Sequence, residues 1–371
     1  RRREMLLVRD RLGIKPLYLG HRKDAVLVAS EIKALAGSSD VIVEFPPGHV
    51  FSSSAGMKRY YSVPTPRAGE EDLAEAEARL LARLDAAVEK RLIADVPVGV
   101  FLSGGLDSSL ISFLARRHQD VLHSFSVCTE DSPDRSRARQ VAEFLGTLHH
   151  ERVFTAAEAL KALPEVIYYL ESFDCALVRS AMPNFFLARL AADHVKVALS
   201  GEGADELFAG YDYLKGLAMD GLPDELHRIT SALHNTNLQR CDRMSMAHGL
   251  EVRVPFMDVA VVELAFSLPV EFKQHGPDRT DKWILRKVAS LLLPADIAWR
   301  PKIKFAAGSG LGASLARHAE ERISDAEFER FRRTEPEAQL RSKEELFYYR
   351  IFRDIFPRKD LLPLVGRSRS V

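Results

Sequence analysis

The feature that most constrains this chain is the run Ser103-Gly104-Gly105-Leu106-Asp107-Ser108-Ser109, set between two apolar segments. Val98-Gly99-Val100-Phe101-Leu102 before it reads as a buried strand, and Leu110-Ile111-Ser112-Phe113-Leu114-Ala115 after it has the apolar spacing of a helix. A strand, a glycine turn and a helix in that order point bare backbone N–H groups at an anion, and the helix dipole favours the negative charge. The glycines allow close approach, and the hydroxyls add donors. The lysine of a Walker loop is missing. Asp107 inside the loop suits pyrophosphate instead, because a carboxylate can hold a metal ion against it. A tight turn with a capping serine is the plain alternative, and a second loop weighs against it.

That second loop is Ser200-Gly201-Glu202-Gly203-Ala204-Asp205-Glu206, which follows the apolar segment Val195-Lys196-Val197-Ala198-Leu199. Between the two loops the pattern alternates. Residues 121–127 and 149–154 read as strands, and 135–145, 156–171 and 181–193 as helices. Such alternation predicts an α/β fold with a parallel sheet covered on both faces. Ligands of such sheets sit beyond the carboxyl ends of the strands, so loops from neighbouring strands open onto one crevice. A third strand ends near Val127-Cys128-Thr129. Asp107, Glu202 and Asp205 would then stand close together, and three carboxylates facing a triphosphate repel without a cation between them. Mg²⁺, which takes one or two carboxylates plus phosphate oxygens, is the expected ion, with Asp107 and Asp205 as ligands. Glu202 is left to act on substrate or nucleophile, and Glu206 belongs to the following helix.

The rest of the chain frames this core. Residues 1–65 are β-rich, with short strands at 5–8, 16–19, 25–29 and 49–51, a short helix at 30–35, and the look of a remnant of a larger domain. A proline-marked linker at 62–69 leads to a long helix whose stripe is Leu73, Leu80, Leu81, Leu84, Val88 and Leu92. Beyond residue 210 the pattern is mainly helical, and 366–371 read as a disordered tail after a main domain of 66–365. Arg253 divides evenly between substrate contact and an ion pair with Glu251. The lysine of Arg300-Pro301-Lys302 could neutralise charge developing on an α-phosphate, although a Lys-x-Lys loop is usually solvated surface. His149-His150 read as structural.

Composition narrows the function classes. Lys plus Arg and Asp plus Glu are both 52, so a general nucleic-acid binder, which needs a basic excess or face, is not expected. Three scattered cysteines make neither a disulfide framework nor a zinc site, and the expectation is a reducing, cytoplasmic setting without a membrane span.

Several stretches occur in the order of one family. They are Arg9-Asp10-Arg11-Leu12-Gly13-Ile14-Lys15-Pro16-Leu17-Tyr18, Ser30 to Leu35, Pro46-Pro47-Gly48-His49, Ser103 to Ser109, Ser124 to Val127, Ser200 to Glu206, Arg253 to Asp258 and Ala298 to Lys302. With them the chain resembles the bacterial glutamine-dependent asparagine synthetases, from the end of the glutaminase domain through the synthetase domain. The resemblance implies a PP-loop ATP-pyrophosphatase fold, adenine nucleotide alpha hydrolase-like, with a helical C-terminal part. It implies adenylation of aspartate by ATP, release of pyrophosphate, and displacement of AMP by ammonia. On it, Leu102, Val127, Ser200 and Gly201 contact adenosine. Ser103, Gly104, Gly105, Ser108 and Ser109 hold phosphates, and Asp107 and Asp205 hold Mg²⁺-pyrophosphate. Glu202 and Lys302 are catalytic, and Arg179 lies near the aspartate. The family's cysteine nucleophile precedes residue 1, so the chain as written is expected to use free ammonia; a homodimer is left open. One departure is Cys175-Ala176-Leu177-Val178-Arg179, where many relatives carry threonines before the arginine. Three other readings stand beside this one. They are an amidotransferase or cyclase of the same fold acting on another carboxylate, a PP-loop tRNA-modifying enzyme, and a non-catalytic nucleotide sensor.

Overall fold

The computed structural model describes residues 4–369 apart from 24, 67, 68, 70, 131, 133 and 302–310. Six short strands come first: β1 (Leu6–Val8), β2 (Tyr18–Arg22), β3 (Ala25–Ala29), β4 (Val41–Glu44), β5 (His49–Ser52) and β6 (Gly56–Arg59). Helix α1 (Ile32–Ala36) lies between β3 and β4. The strands pair antiparallel as two sheets, β1-β5-β6 and β3-β2-β4. β4 and β6 are absent from the sequence reading. Gly56–Arg59 has no apolar alternation and is exposed throughout, so only its pairing to β5 defines it.

The parallel sheet that follows has the order β11-β10-β7-β8-β9, every neighbour parallel. Its strands are β7 (Val98–Phe101), β8 (His123–Cys128), β9 (Leu148–Val153), β10 (Val197–Leu199) and β11 (Glu251–Arg253). The helices around it are α2 (Leu73–Arg91), α3 (Leu106–His118), α4 (Asp134–Leu145), α5 (Ala156–Leu170), α6 (Cys175–Ala192), α7 (Ala204–Leu207), α8 (Leu222–Ser231), α9 (Asn237–Met246), α10 (Val259–Ser267) and α11 (Trp283–Ser290). Alternate strand residues divide two cores. Val98, Val100, Val197 and Leu199 pack with Leu80, Leu84 and Val88 of α2 and Leu110 and Leu114 of α3. Phe101, Phe125, Ala198 and Val252 pack with Leu163 and Ile167 of α5 and Phe185 of α6. Helices therefore cover both faces, as the alternation predicts.

The sheet departs from expectation at one edge. β11 lies in the part that reads as helical, because three residues with charged ends carry too little pattern to betray a strand. α6 begins at Cys175, well before residue 181, since the Asp174 carboxylate accepts from Leu177 N at 3.0 Å and caps it there. The expected free tail is held over Gly366–Arg369. Asp174 accepts from Ser368 N at 2.9 Å and from Ser368 Oγ at 2.8 Å, and Arg341 donates to the Ser368 carbonyl at 2.7 Å.

His149 is structural, as expected: its ring nitrogens lie 2.8 Å from Ser124 Oγ and 3.0 Å from Ser126 Oγ on the neighbouring strand. Burial lowers the His149 pKa, and burial followed by the neighbouring histidines lowers that of His150. Both are neutral in the fold more readily than in the unfolded chain, whose histidines titrate near about 6.5. Their stabilisation is present above that pH and is lost as pH falls through the lower folded values. Denaturant midpoints should drop between about pH 7 and 5.5, and a His149→Asn/His150→Asn variant should show a flatter profile; equal slopes would contradict this.

Candidate active site

The chain turns through β7, β8 and β9 on one side of the sheet and places β10 and β11 on the other. The order therefore reverses between β7 and β10, where open α/β sheets form their ligand crevice. Both acid-bearing loops leave the sheet at this point, from adjacent strands paired in register Leu199↔Val100. Leu102, Val127 and Ser200, all buried, stand at the carboxyl ends of β7, β8 and β10.

Two glycines set the loops in place. Gly104 has φ +73°, and a Cβ there would lie 2.5 Å from the Arg137 carbonyl carbon on α4. Gly201 brings the second loop onto the first, since a Cβ there would lie 2.9 Å from Ser108 N and 3.0 Å from the Asp107 carbonyl carbon. The first loop is braced internally: Ser108 Oγ lies 3.0 Å from Ser103 Oγ and accepts from Ser103 N at 3.2 Å. α3 starts at Leu106 with no side-chain cap, so its first-turn N–H groups meet a cavity of about 150 Å³. Ser103 to Ser108, Asp205, Lys282, Arg137, Arg286 and Arg300 are among the lining residues. Ser109 is not; it is fully buried on α3.

Asp107 and Asp205 converge on one cation. The Lys282 ammonium lies 2.6 Å from Asp107 Oδ2 and 2.5 Å from Asp205 Oδ1, with its side chain only 3% exposed. Burial pulls the Lys282 pKa down most strongly of any single effect, yet the two carboxylates together hold it above its ordinary value. Lys282 has no place in the sequence reading. It stands in the left-handed region (φ +52°) just before α11, its N–H donating to the Phe208 carbonyl at 3.1 Å, and no motif surrounds it.

The remaining candidates separate. Glu202 accepts from Arg240 of α9 at 2.6 Å. Glu206 is on α7 as expected, and it accepts from Tyr211 and, at 3.1 Å, from Asn237. Burial first, then Asp205 and Glu202, raise its pKa to about 7. Arg253 is taken by Glu251 at 2.8 Å and by the Arg91 and Ile93 carbonyls at 2.8 Å each, so the geometry is that of the ion pair and not of substrate contact. Arg179 donates to both oxygens of Glu344, one of them at 2.9 Å. Lys302 lies outside the described residues. Its neighbour Arg300 donates to the Gly104 carbonyl at 2.7 Å, and Arg286 donates to the Arg300 carbonyl at 2.9 Å, which brings residue 300 against the loop.

Among the described residues no three His, Cys, Asp or Glu side chains are grouped to hold a metal. The paired hard oxygens of Asp107 and Asp205, already 2.5–2.6 Å from one cationic atom, fit Mg²⁺, which completes its shell with phosphate oxygens and water. Lys282→Met would leave two part-buried carboxylates facing each other, and should lower unfolding free energy by about 3–5 kcal/mol. Adding Asp205→Asn should recover part of that loss, because it removes one of the stranded charges; additive losses in urea unfolding would contradict the shared-cation geometry.

Comparison with known proteins agrees over most of the chain. The asparagine synthase family matches residues 79–222 and 215–368, and a glutamine amidotransferase domain matches residues 1–37. A probable asparagine synthetase (glutamine-hydrolyzing) of Schizosaccharomyces pombe is 38% identical over 392 residues, covering 96% of this chain and 70% of the relative. One from Dictyostelium discoideum is 36% identical, covering 98% of this chain and 71% of its own length. Asparagine synthetase 2 of Arabidopsis thaliana is 36% identical, covering 100% and 68%. A solved NMN synthetase from Francisella tularensis aligns with 55% of this chain and 93% of its own at 14% identity and a TM-score of 0.28, too slight a likeness to argue from.

Proposed function

The chain belongs to the asparagine synthase family, and on that premise we propose that it makes asparagine from aspartate, ammonia and ATP, releasing AMP and pyrophosphate. The observation that carries this reading is the convergence of Asp107 and Asp205, from neighbouring strand ends, on one buried ammonium beside the Ser103–Ser108 loop.

In the first step the side-chain carboxylate of aspartate attacks the α-phosphorus of ATP, and the bond to pyrophosphate breaks. The loop N–H groups, the N-terminus of α3 and the Lys282 ammonium bind the β- and γ-phosphates and stabilise the charge that collects on the leaving group. Asp107 and Asp205 would hold Mg²⁺, whose chemistry is to neutralise and orient those phosphates. Lys302 is placed by the same reading beside the α-phosphate. In the second step ammonia attacks the acyl carbon of β-aspartyl-AMP and AMP leaves. Glu202, held by Arg240, takes the proton that the attacking nitrogen sheds. Leu102, Val127, Ser200 and Gly201 form the adenosine side of the pocket.

The nitrogen source follows from the other end of the chain. The match of residues 1–37 to a glutamine amidotransferase domain supports reading 1–65 as the end of a glutaminase domain and 66–365 as the synthetase domain, with glutamine as the origin of the ammonia. Three buried cysteines, Cys128, Cys175 and Cys241, none of them in a disulfide, suit a reducing cytoplasm. No helix among the described residues is long and apolar enough to cross a membrane.

With aspartate, ammonium, Mg²⁺ and ATP, AMP and pyrophosphate should appear in equal amounts. Asp107→Asn should slow pyrophosphate release at least about 100-fold. Glu202→Gln should retain aspartate-dependent exchange of pyrophosphate into ATP while asparagine formation falls about 100-fold. Turnover that ignores aspartate, or wild-type rates in Asp107→Asn, would overturn the reading.

A further inference from the structure

Helix α9 carries more buried polar side chains than a packing role calls for. Arg240, Asp242 and Arg243 are each less than a tenth exposed, and each is paired with a residue distant in sequence. Arg240 donates to Glu202 at 2.6 Å. Asp242 pairs with Lys15, which precedes β2 in the N-terminal part. Arg243 pairs with Glu171, and it donates to the Leu170 carbonyl at 3.1 Å and to the Tyr18 hydroxyl at 3.0 Å.

Glu171 extends this linkage. It closes α5 in the left-handed region (φ +53°), which costs a non-glycine residue about 1 kcal/mol or more and persists only where the surroundings hold it. Its surroundings do so: its carboxylate accepts from Ile32 N at 2.9 Å and Lys33 N at 2.6 Å at the start of α1, and from Arg243. The N-terminal part thus grips α9 at two points, through Lys15–Asp242 and through α1–Glu171–Arg243. Three residues before Arg243, one turn along the same rigid helix, Arg240 grips Glu202. A helix transmits a shift at one turn to the next, because its length and phase are fixed by its own hydrogen bonds.

We propose that α9 is a strut by which the N-terminal part sets the position of Glu202, with Lys15, Asp242, Glu171 and Arg243 as positioning residues that act through Arg240. The inference rests on the role given to Glu202 above. It assigns the strut to the amide-forming step and not to adenylation. The first step depends on Asp107, Asp205 and Lys282, and among the described residues the side-chain hydrogen bonds and ion pairs of α9 go elsewhere. If Glu202 is displaced, β-aspartyl-AMP forms but is not aminated, and water cleaves it to aspartate and AMP.

Lys15→Met tests this in the whole chain, since the Lys15 side chain is 48% exposed and its loss removes the tie to Asp242 without opening the core. Expected are pyrophosphate release within about twofold of wild type, a rise of about fivefold or more in the KM for ammonium, and fewer asparagines per pyrophosphate. In an Arg240→Lys background the further effect of Lys15→Met on that ratio should vanish, as it must if both act through one contact. Parallel loss of both half-reactions, an unchanged ratio of asparagine to pyrophosphate, or additive effects in the Arg240→Lys background would each overturn the strut. Wild-type protein that releases no pyrophosphate with aspartate would overturn the synthetase reading beneath it. Active wild type with a silent Lys15→Met variant would overturn the strut alone.

Discussion

Two carboxylates brought to one point need a cation between them, and the Asp107–Lys282–Asp205 contact is what makes the strand-end crevice of this chain viable. Each acid comes from its own loop, and each loop from its own strand. Only because β7 and β10 are neighbours at the reversal of strand order do the acids meet. Gly201 then lets the backbones touch, and Lys282 arrives from the far side before α11. A buried ammonium held by two acids is costly to desolvate, and that cost is accepted where a highly charged ligand will later occupy the space.

The surrounding charges follow the same logic. The chain has no net charge, so the cations that the proposed nucleotide would need are gathered locally, with Arg137, Arg286, Arg300 and Lys282 around one cavity. Arg286 and Arg300 are themselves braced by backbone carbonyls, and Arg286 is also paired at 3.0 Å with Asp281, a further acid lining the cavity. On the opposite side Glu202 has Arg240 for a partner, so each of the three acids foreseen from the sequence stands against a cation.

Much of this arrangement can be read from the residues. A strand leading into Ser103–Ser109 and another leading into Ser200–Glu206 announce their own turns, because glycine and hydroxyl at strand ends have few other uses. The five-stranded parallel sheet follows from alternation in four of its strands. β11 is too short for any period, and its neighbour β10 defines it. Lys282 is legible only in three dimensions: a lone lysine before an ordinary helix gives no sign of the acids that it meets, 175 positions from Asp107. Arg253, which the sequence leaves evenly divided between two roles, has its guanidinium on Glu251 and two carbonyls. The N-terminal ties of α9 are equally hidden, since Glu171–Arg243 and Lys15–Asp242 pair residues whose spacing encodes nothing.

The claim that everything else leans on is that Asp107 and Asp205 act as one ligand set for metal-bound pyrophosphate. Calorimetric titration of Mg²⁺-pyrophosphate into wild type, Asp107→Asn, Asp205→Asn and the double variant tests it directly. The account predicts that each single change weakens binding about tenfold or more and that the double variant binds little worse than the weaker single. Wild-type affinity in either single variant, or losses that simply add, would contradict it.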